Sequence, residues 1–206
     1  MFRFLVGIVL GIALVPVALL IWIRFGDVPV AVTDPPFPHE QQITGIPLNA
    51  RIDREMVATP PIQPDNDNLL AGAHVYGEKC AMCHGFHGKP SATGTHMFPD
   101  APPLWEKHHS GTVVGVSDDP PGETYWKVAN GIRLTGMPAY RTQLTDTEIW
   151  QVSLLLANAD KPLPPAALEL LRGDPARAPV AAQPGTLRPL HPGPAALLQP
   201  KPVERK

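Results

Sequence analysis

The chain has 206 residues, room for one ordinary domain or two small ones. Its 17 Lys+Arg against 19 Asp+Glu leave a net charge of −2, without the basic surplus that nucleic-acid binding requires, and two cysteines exclude a disulfide scaffold. The outlier is proline, 27 residues in all, of which only 7 fall in residues 67–160 against 8 in 25–66 and 11 in 161–206. Proline lacks an amide donor and fixes its own φ, so proline-rich stretches resist regular structure. The chain therefore divides into an apolar leader, a Pro-rich linker (25–66), a compact domain (67–160) and a Pro/Ala-rich tail (161–206).

Residues 4–23 carry no charge over 20 positions, which as a helix span ~30 Å, the thickness of the hydrocarbon core. Signal-peptide apolar regions are shorter and end at a small-residue cleavage site; here the run is longer and Ala31-Val32-Thr33 is a poor site. The length favours an uncleaved transmembrane anchor, and either reading exports the domain. Arg3 precedes the run and Arg24 follows it, so flanking charge does not orient it.

In the domain, residues 68–80 place Leu69, Ala73 and Tyr76 on one helical face, with Gly72, Tyr76 and Cys80 four apart. A glycine in mid-helix costs up to ~1 kcal/mol against alanine, which close approach of another helix would justify. Both cysteines then lie in Cys80-Ala81-Met82-Cys83-His84, the attachment signature of c-type haem. Two thiols at this spacing reach the two vinyl groups of one porphyrin edge, and the next residue, His84, sits under the ring where it can ligate iron. A thioredoxin-like site would need a strand before the motif, and a zinc site would need further ligands; no third cysteine exists.

Residues 86–121 form a long, turn-rich connection. It carries His87, His96, His108 and His109, read as a solvated polar loop, with bis-histidine ligation or a second metal as the alternative. Trp105, Tyr125 and Trp126 are expected to pack against the cofactor or the core, with donation to a propionate open to one of them. Glu123 to Asn130 reads as a short helix closed by Gly131. Met137 follows in a turn, with Gly136 before it and Pro138 after it; a rigid loop and a free thioether suit a ligand of iron. Met97 is the rival, without flanking helices. Thr145-x-x-Glu148 is a capping box, and Ile149, Val152, Leu155 and Leu156 make the apolar stripe of a helix over 146–158 that faces Gly72. The tail has one candidate helix, Pro164 to Leu171, and is otherwise expected to be largely disordered.

Over residues 67–160 the chain resembles the class I monohaem cytochromes c, of the membrane-anchored bacterial kind. Gly72-x-x-x-Tyr76-x-x-x-Cys80, the Cys80–His84 pentapeptide, Pro102-Pro103-Leu104, Met137 and the last helix occur in family order. The resemblance implies a mostly α fold of three to four helices around one covalent haem c. It implies that Cys80 and Cys83 form thioethers, that His84 and Met137 are the axial ligands, and that the Pro102 carbonyl accepts the second ring N–H of His84. It also implies attachment of haem outside the bacterial cytoplasmic membrane, with redox partners in or at that membrane. The expected function is one-electron transfer, alone or as a subunit of a respiratory or dehydrogenase complex. The alternative is a haem enzyme or gas sensor with an open sixth position.

Overall fold

The structure is a computed structural model that describes residues 1–108 and 111–173. His109 and the tail beyond residue 173 lie outside the described residues. The leader is helix α1 (Phe2–Phe25), apolar throughout, with none of its residues buried by the rest of the chain. It is the one described helix long and apolar enough to cross a membrane. A short turn follows, in which the Asp34 carboxylate accepts the Val30 and Ala31 N–H groups at 2.9 and 2.8 Å.

The linker departs from expectation. Glu40–Glu55 form a helix (α2) despite Pro47 in its interior. Proline removes one intrahelical bond, yet tertiary packing overrides local preference. The last turn of α2 docks on helix α5 (Pro121–Asn130). Ile52 is buried there, and the Trp126 indole Nε1–H donates to Glu55 at 2.9 Å. Arg51 lies 5.8 Å from the Trp126 ring and pairs with Glu55. Gly122 admits the Val57 backbone, since a Cβ there would overlap the Val57 carbonyl.

The domain proper starts at α3 (Asn66–Val75), capped by the Asp65 carboxylate accepting Asn68 N–H at 2.9 Å. The helix expected over 68–80 is not uniform. A π-turn, Tyr76–Cys80, follows α3, and α4 (Ala81–His84) completes the run. Helix α6 (Asp146–Leu156) begins at the expected capping box: Thr145 Oγ1 accepts Glu148 N–H at 3.3 Å, and Glu148 accepts Thr145 N–H at 2.7 Å. Helices α3 and α6 cross at Gly72, where any Cβ would overlap the Gln151 carbonyl and press on Leu155 at 3.1 Å. Glycine mid-helix is thus explained by backbone contact. Leu155 is fully buried at this crossing, and Trp150 on the same helix stacks on Tyr125 of α5 with ring centroids 4.2 Å apart. The connection 86–121 contains a two-stranded antiparallel ribbon, β1 (Lys107–His108) with β2 (Val113–Val114), which the sequence did not announce.

The domain does not end at residue 160. Helix α7 (Pro165–Leu171) packs on α3, and Leu163, Ala167 and Leu171 are buried with the α3/α6 core. His87 N–H bonds to the Leu171 carbonyl at 3.0 Å and Lys89 Nζ to that of Gly173 at 3.2 Å, tying α7 to the turn after the cysteine motif.

Two outcomes follow. Leu171→Ala should cost about 2–5 kcal/mol, as for other fully buried leucines, in denaturant unfolding of the whole protein; a loss below about 0.5 kcal/mol would mean α7 is not part of the core. The Trp126 N–H first, then Arg51, hold the Glu55 carboxyl below its usual range. A depressed carboxylate contributes above its unfolded pKa, about 4.3, and that contribution fades as pH falls through the lower folded value. The protection factors of the α2 amides, taken against intrinsic exchange at each pH, should therefore fall on acidification below about pH 4, and at neutral pH in Glu55→Gln.

Candidate functional site

A cleft of about 1050 Å³, part of it open to solvent, lies between α4, α5, the segment 97–104 and the loop 132–140. Cys80, Cys83, His84, Pro102 and Met137 all line it. Most of the remaining wall is apolar, with Leu104, Val116, Val128, Ile132 and Leu156 among its residues. Such a lining excludes water and leaves the few donor atoms to define what binds.

The cysteine motif is positioned by the π-turn. Its extra residue per turn shifts the helical phase, so Tyr76 stays fully buried in the core while Cys80 reaches the cleft wall. Tyr76 Oη–H donates to the Gly85 carbonyl at 2.6 Å, and its ring meets Trp105 edge-on at 5.4 Å, which fixes the turn after His84. Both cysteines are free thiols and half-buried. Burial, with the Cys83 charge beside it, pushes the Cys80 thiol up to about 12, so it stays protonated at neutral pH.

His84 Nδ1–H donates to the Pro102 carbonyl at 2.8 Å. That bond fixes the tautomer and leaves Nε2 as the ring nitrogen able to ligate a metal. Burial lowers the His84 pKa and the Pro102 bond only partly opposes it, so the ring is neutral at pH 7.

The loop bearing Met137 is bonded back onto its surroundings. Gly131 turns the chain out of α5 at φ 67°, with room for a side chain denied by the Met137–Ala139 backbone. Ile132 N–H reaches the Met137 carbonyl at 3.2 Å, and the Thr135 hydroxyl both donates to Ile132 O at 2.7 Å and accepts Met137 N–H at 3.1 Å. Tyr140 N–H bonds to Val128 O at 3.0 Å, and Tyr140 Oη–H donates to the Lys79 carbonyl at 2.8 Å. The last bond links the methionine loop to the cysteine motif. Leu134, at the loop's tip, takes a left-handed φ of 65° and is 86% exposed.

Trp105, Tyr125 and Trp126 do not line the cleft; of the two places expected for them, they take the core. Trp105 packs on Tyr76, Tyr125 Oη–H donates to Asp146 at 2.7 Å, and Trp126 serves α2. Met82 points out of the motif and is 74% exposed. Met97 does line the cleft. His87, His96 and His108 do not, and among the described residues no three His, Cys, Asp or Glu side chains gather as a metal set. Sequence reasoning passed over Tyr140 and over two cations on the cleft wall, Lys79 and Lys127. Lys127 Nζ lies 2.6 Å from Glu123 and 3.5 Å from Asp119; its i,i+4 spacing from Glu123 was the available signal.

Two thiols, a neutral imidazole with one nitrogen already bonded, and a thioether, all on one apolar cleft, fit a covalently held haem. Comparison with known proteins supports a c-type cytochrome domain. Residues 67–154 match the family model of the cbb3-type cytochrome c oxidase subunit III. A thiosulfate dehydrogenase of Stutzerimonas stutzeri (strain A1501) is 24% identical over 127 residues, 61% of this chain and 38% of that protein. The chain thus spans well under half the length of this relative. No solved structure matches.

Tyr140→Phe should cost about 1 kcal/mol, the ordinary net worth of one hydrogen bond, in denaturant unfolding of the haem-loaded protein. Unchanged stability would mean the Tyr140–Lys79 link contributes nothing to holding the loop.

Proposed function

The chain carries a c-type cytochrome domain, and from that premise we propose that it is a one-electron carrier with one covalent haem c, ligated by His84 and Met137. The observation that carries the reading is the convergence of Cys80, Cys83, His84 and Met137 on one apolar cleft. When bound, the haem supplies an iron that takes up or releases a single electron. The protein's part is to hold, orient and shield it. Cys80 and Cys83 would hold it through thioether bonds. Neutral His84 offers Nε2 while Pro102 holds Nδ1–H, which strengthens the imidazole as a donor. Met137 offers a soft sulfur that favours the ferrous state and raises the potential. His84 and Met137, both on braced backbone, would together hold the iron, and little structure would need to move on electron transfer.

Helix α1 supports a single-pass anchor, and we read the domain as facing outward from a bacterial cytoplasmic membrane, where it exchanges electrons with membrane-bound partners. The matched family and the matched relative are both named as oxidoreductases, which supports membership of such a complex. The docking of α2 narrows the reach of the domain. Its tether is residues 26–39 rather than the whole Pro-rich stretch, at most about 50 Å when fully extended. That length suits a partner beside the anchor.

The test is an optical and redox titration of the full-length protein made with c-type haem maturation. The wild type should hold one haem per chain, low-spin in both oxidation states and indifferent to carbon monoxide. Met137→Ala should bind carbon monoxide and lower the potential by roughly a tenth of a volt or more, within the ~0.8 V that axial ligands command. Ready carbon monoxide binding by the wild type would overturn the carrier reading in favour of an open-site enzyme or sensor.

A further inference from the structure

Met97 comes from the segment that follows the cysteine motif, whereas Met137 comes from the loop after α5, yet both line the same cleft. The Met97 side chain crosses to that loop. A Cβ on Gly136 would overlap the Met97 methyl carbon and lie 3.4 Å from its sulfur, and apart from its chain neighbours no other residue comes within 4 Å of it. The absent side chain of Gly136 is therefore the seat of the Met97 methyl, one residue before Met137. Gly136 has no left-handed φ that would otherwise call for glycine.

Met97 is itself anchored at its other end. Its N–H bonds to the Gly94 carbonyl at 3.4 Å, Gly94 N–H donates to Ser91 Oγ at 3.0 Å, and a Cβ on Gly94 would overlap the Cys83 carbonyl. The same segment runs on to Pro102, whose carbonyl holds His84. One stretch of chain thus braces the proposed proximal ligand by its backbone and touches the loop of the proposed distal ligand by a side chain.

We propose that Met97 is a positioning residue: its methyl, seated on Gly136, latches the methionine loop shut and sets how readily the iron's sixth position opens to an outside ligand. The proposal rests on the reading of Met137 as that ligand. The contact removes apolar surface from water, and a long unbranched side chain spans the gap between the two loops. A side chain on Gly136 meets only the flexible end of Met97, so it displaces the methyl from its seat without forcing the backbone apart. Gly136→Ala and Met97→Ala therefore break one and the same contact by opposite means.

The experiment is an optical titration of the full-length, haem-loaded, oxidised protein with imidazole, a small ligand that competes for the sixth position. Met97→Ala and Gly136→Ala should each tighten imidazole binding about tenfold, and the double variant should be no tighter than either single one, because contacting residues that act as a unit are not additive. Met137→Ala, run beside them, should bind imidazole far more tightly still. If Met137→Ala opens the iron while Met97→Ala and Gly136→Ala leave imidazole affinity unchanged, or if their effects add, the latch is wrong and the ligand assignment stands. If Met137→Ala binds imidazole no better than the wild type, the ligand assignment itself fails, and the latch with it.

Discussion

The bond from His84 Nδ1 to the Pro102 carbonyl is the constraint on which the rest of the site depends. An imidazole free to rotate would be a weak and variable ligand; one held at 2.8 Å by a backbone oxygen presents a single nitrogen in a single direction. The carbonyl is held in turn by its chain, pinned at Gly94 against the Cys83 backbone and passing beneath the cleft to Leu104. His84 has its own support through Tyr76, whose hydroxyl anchors the turn at Gly85 from inside the core. The Tyr76 hydroxyl and the Pro102 carbonyl thus transmit the rigidity of the α3/α6 crossing to the His84 nitrogen that we propose as the ligand.

The crossing is rigid because Gly72 lets two helices meet at backbone distance, and its neighbours Leu69, Ala73, Leu155 and Val152 fill the space around it. Helix α7 and the residues just before it add Leu163, Ala167 and Leu171 to the same cluster, on a side that does not line the cleft. On the other side the apolar wall is concave, and on our reading the cofactor extends this core across the cleft. The methionine loop closes over it with backbone bonds to α5 and one tyrosine bond to the cysteine motif. That arrangement accounts for a carrier: donors fixed before binding, and few groups that must move when charge arrives.

What was legible in the chain was what neighbouring residues decide. The placing of Cys80, Cys83 and His84 on one turn, the four-residue spacing from Gly72, the Thr145–Glu148 capping box and the helix expected over Pro164 to Leu171 are each decided within a few positions. What was not legible is decided by distant contacts. Pro47 argues locally against a helix, and only the burial of Ile52 and the bond between Trp126 and Glu55, 71 residues apart, outweigh it. Trp126 itself reads as a cofactor-packing aromatic until its partner is known. The π-turn at Tyr76–Cys80 leaves the spacing of the motif intact while changing which face each residue presents, so periodicity alone extends α3 through it. Met97 looked like a competitor for Met137; its position against Gly136 gives it a different relation to the same loop.

The most direct test of the account is the proton NMR spectrum of the reduced, haem-loaded protein. A methionine whose sulfur sits on the iron has its methyl protons over the porphyrin face, where the ring current moves them far upfield of every ordinary methyl. The account predicts one such methyl signal, present in Met97→Ala and lost in Met137→Ala. No upfield methyl in the wild type, or one that survives in Met137→Ala and vanishes in Met97→Ala, would contradict the assignment of His84 and Met137 as the axial pair.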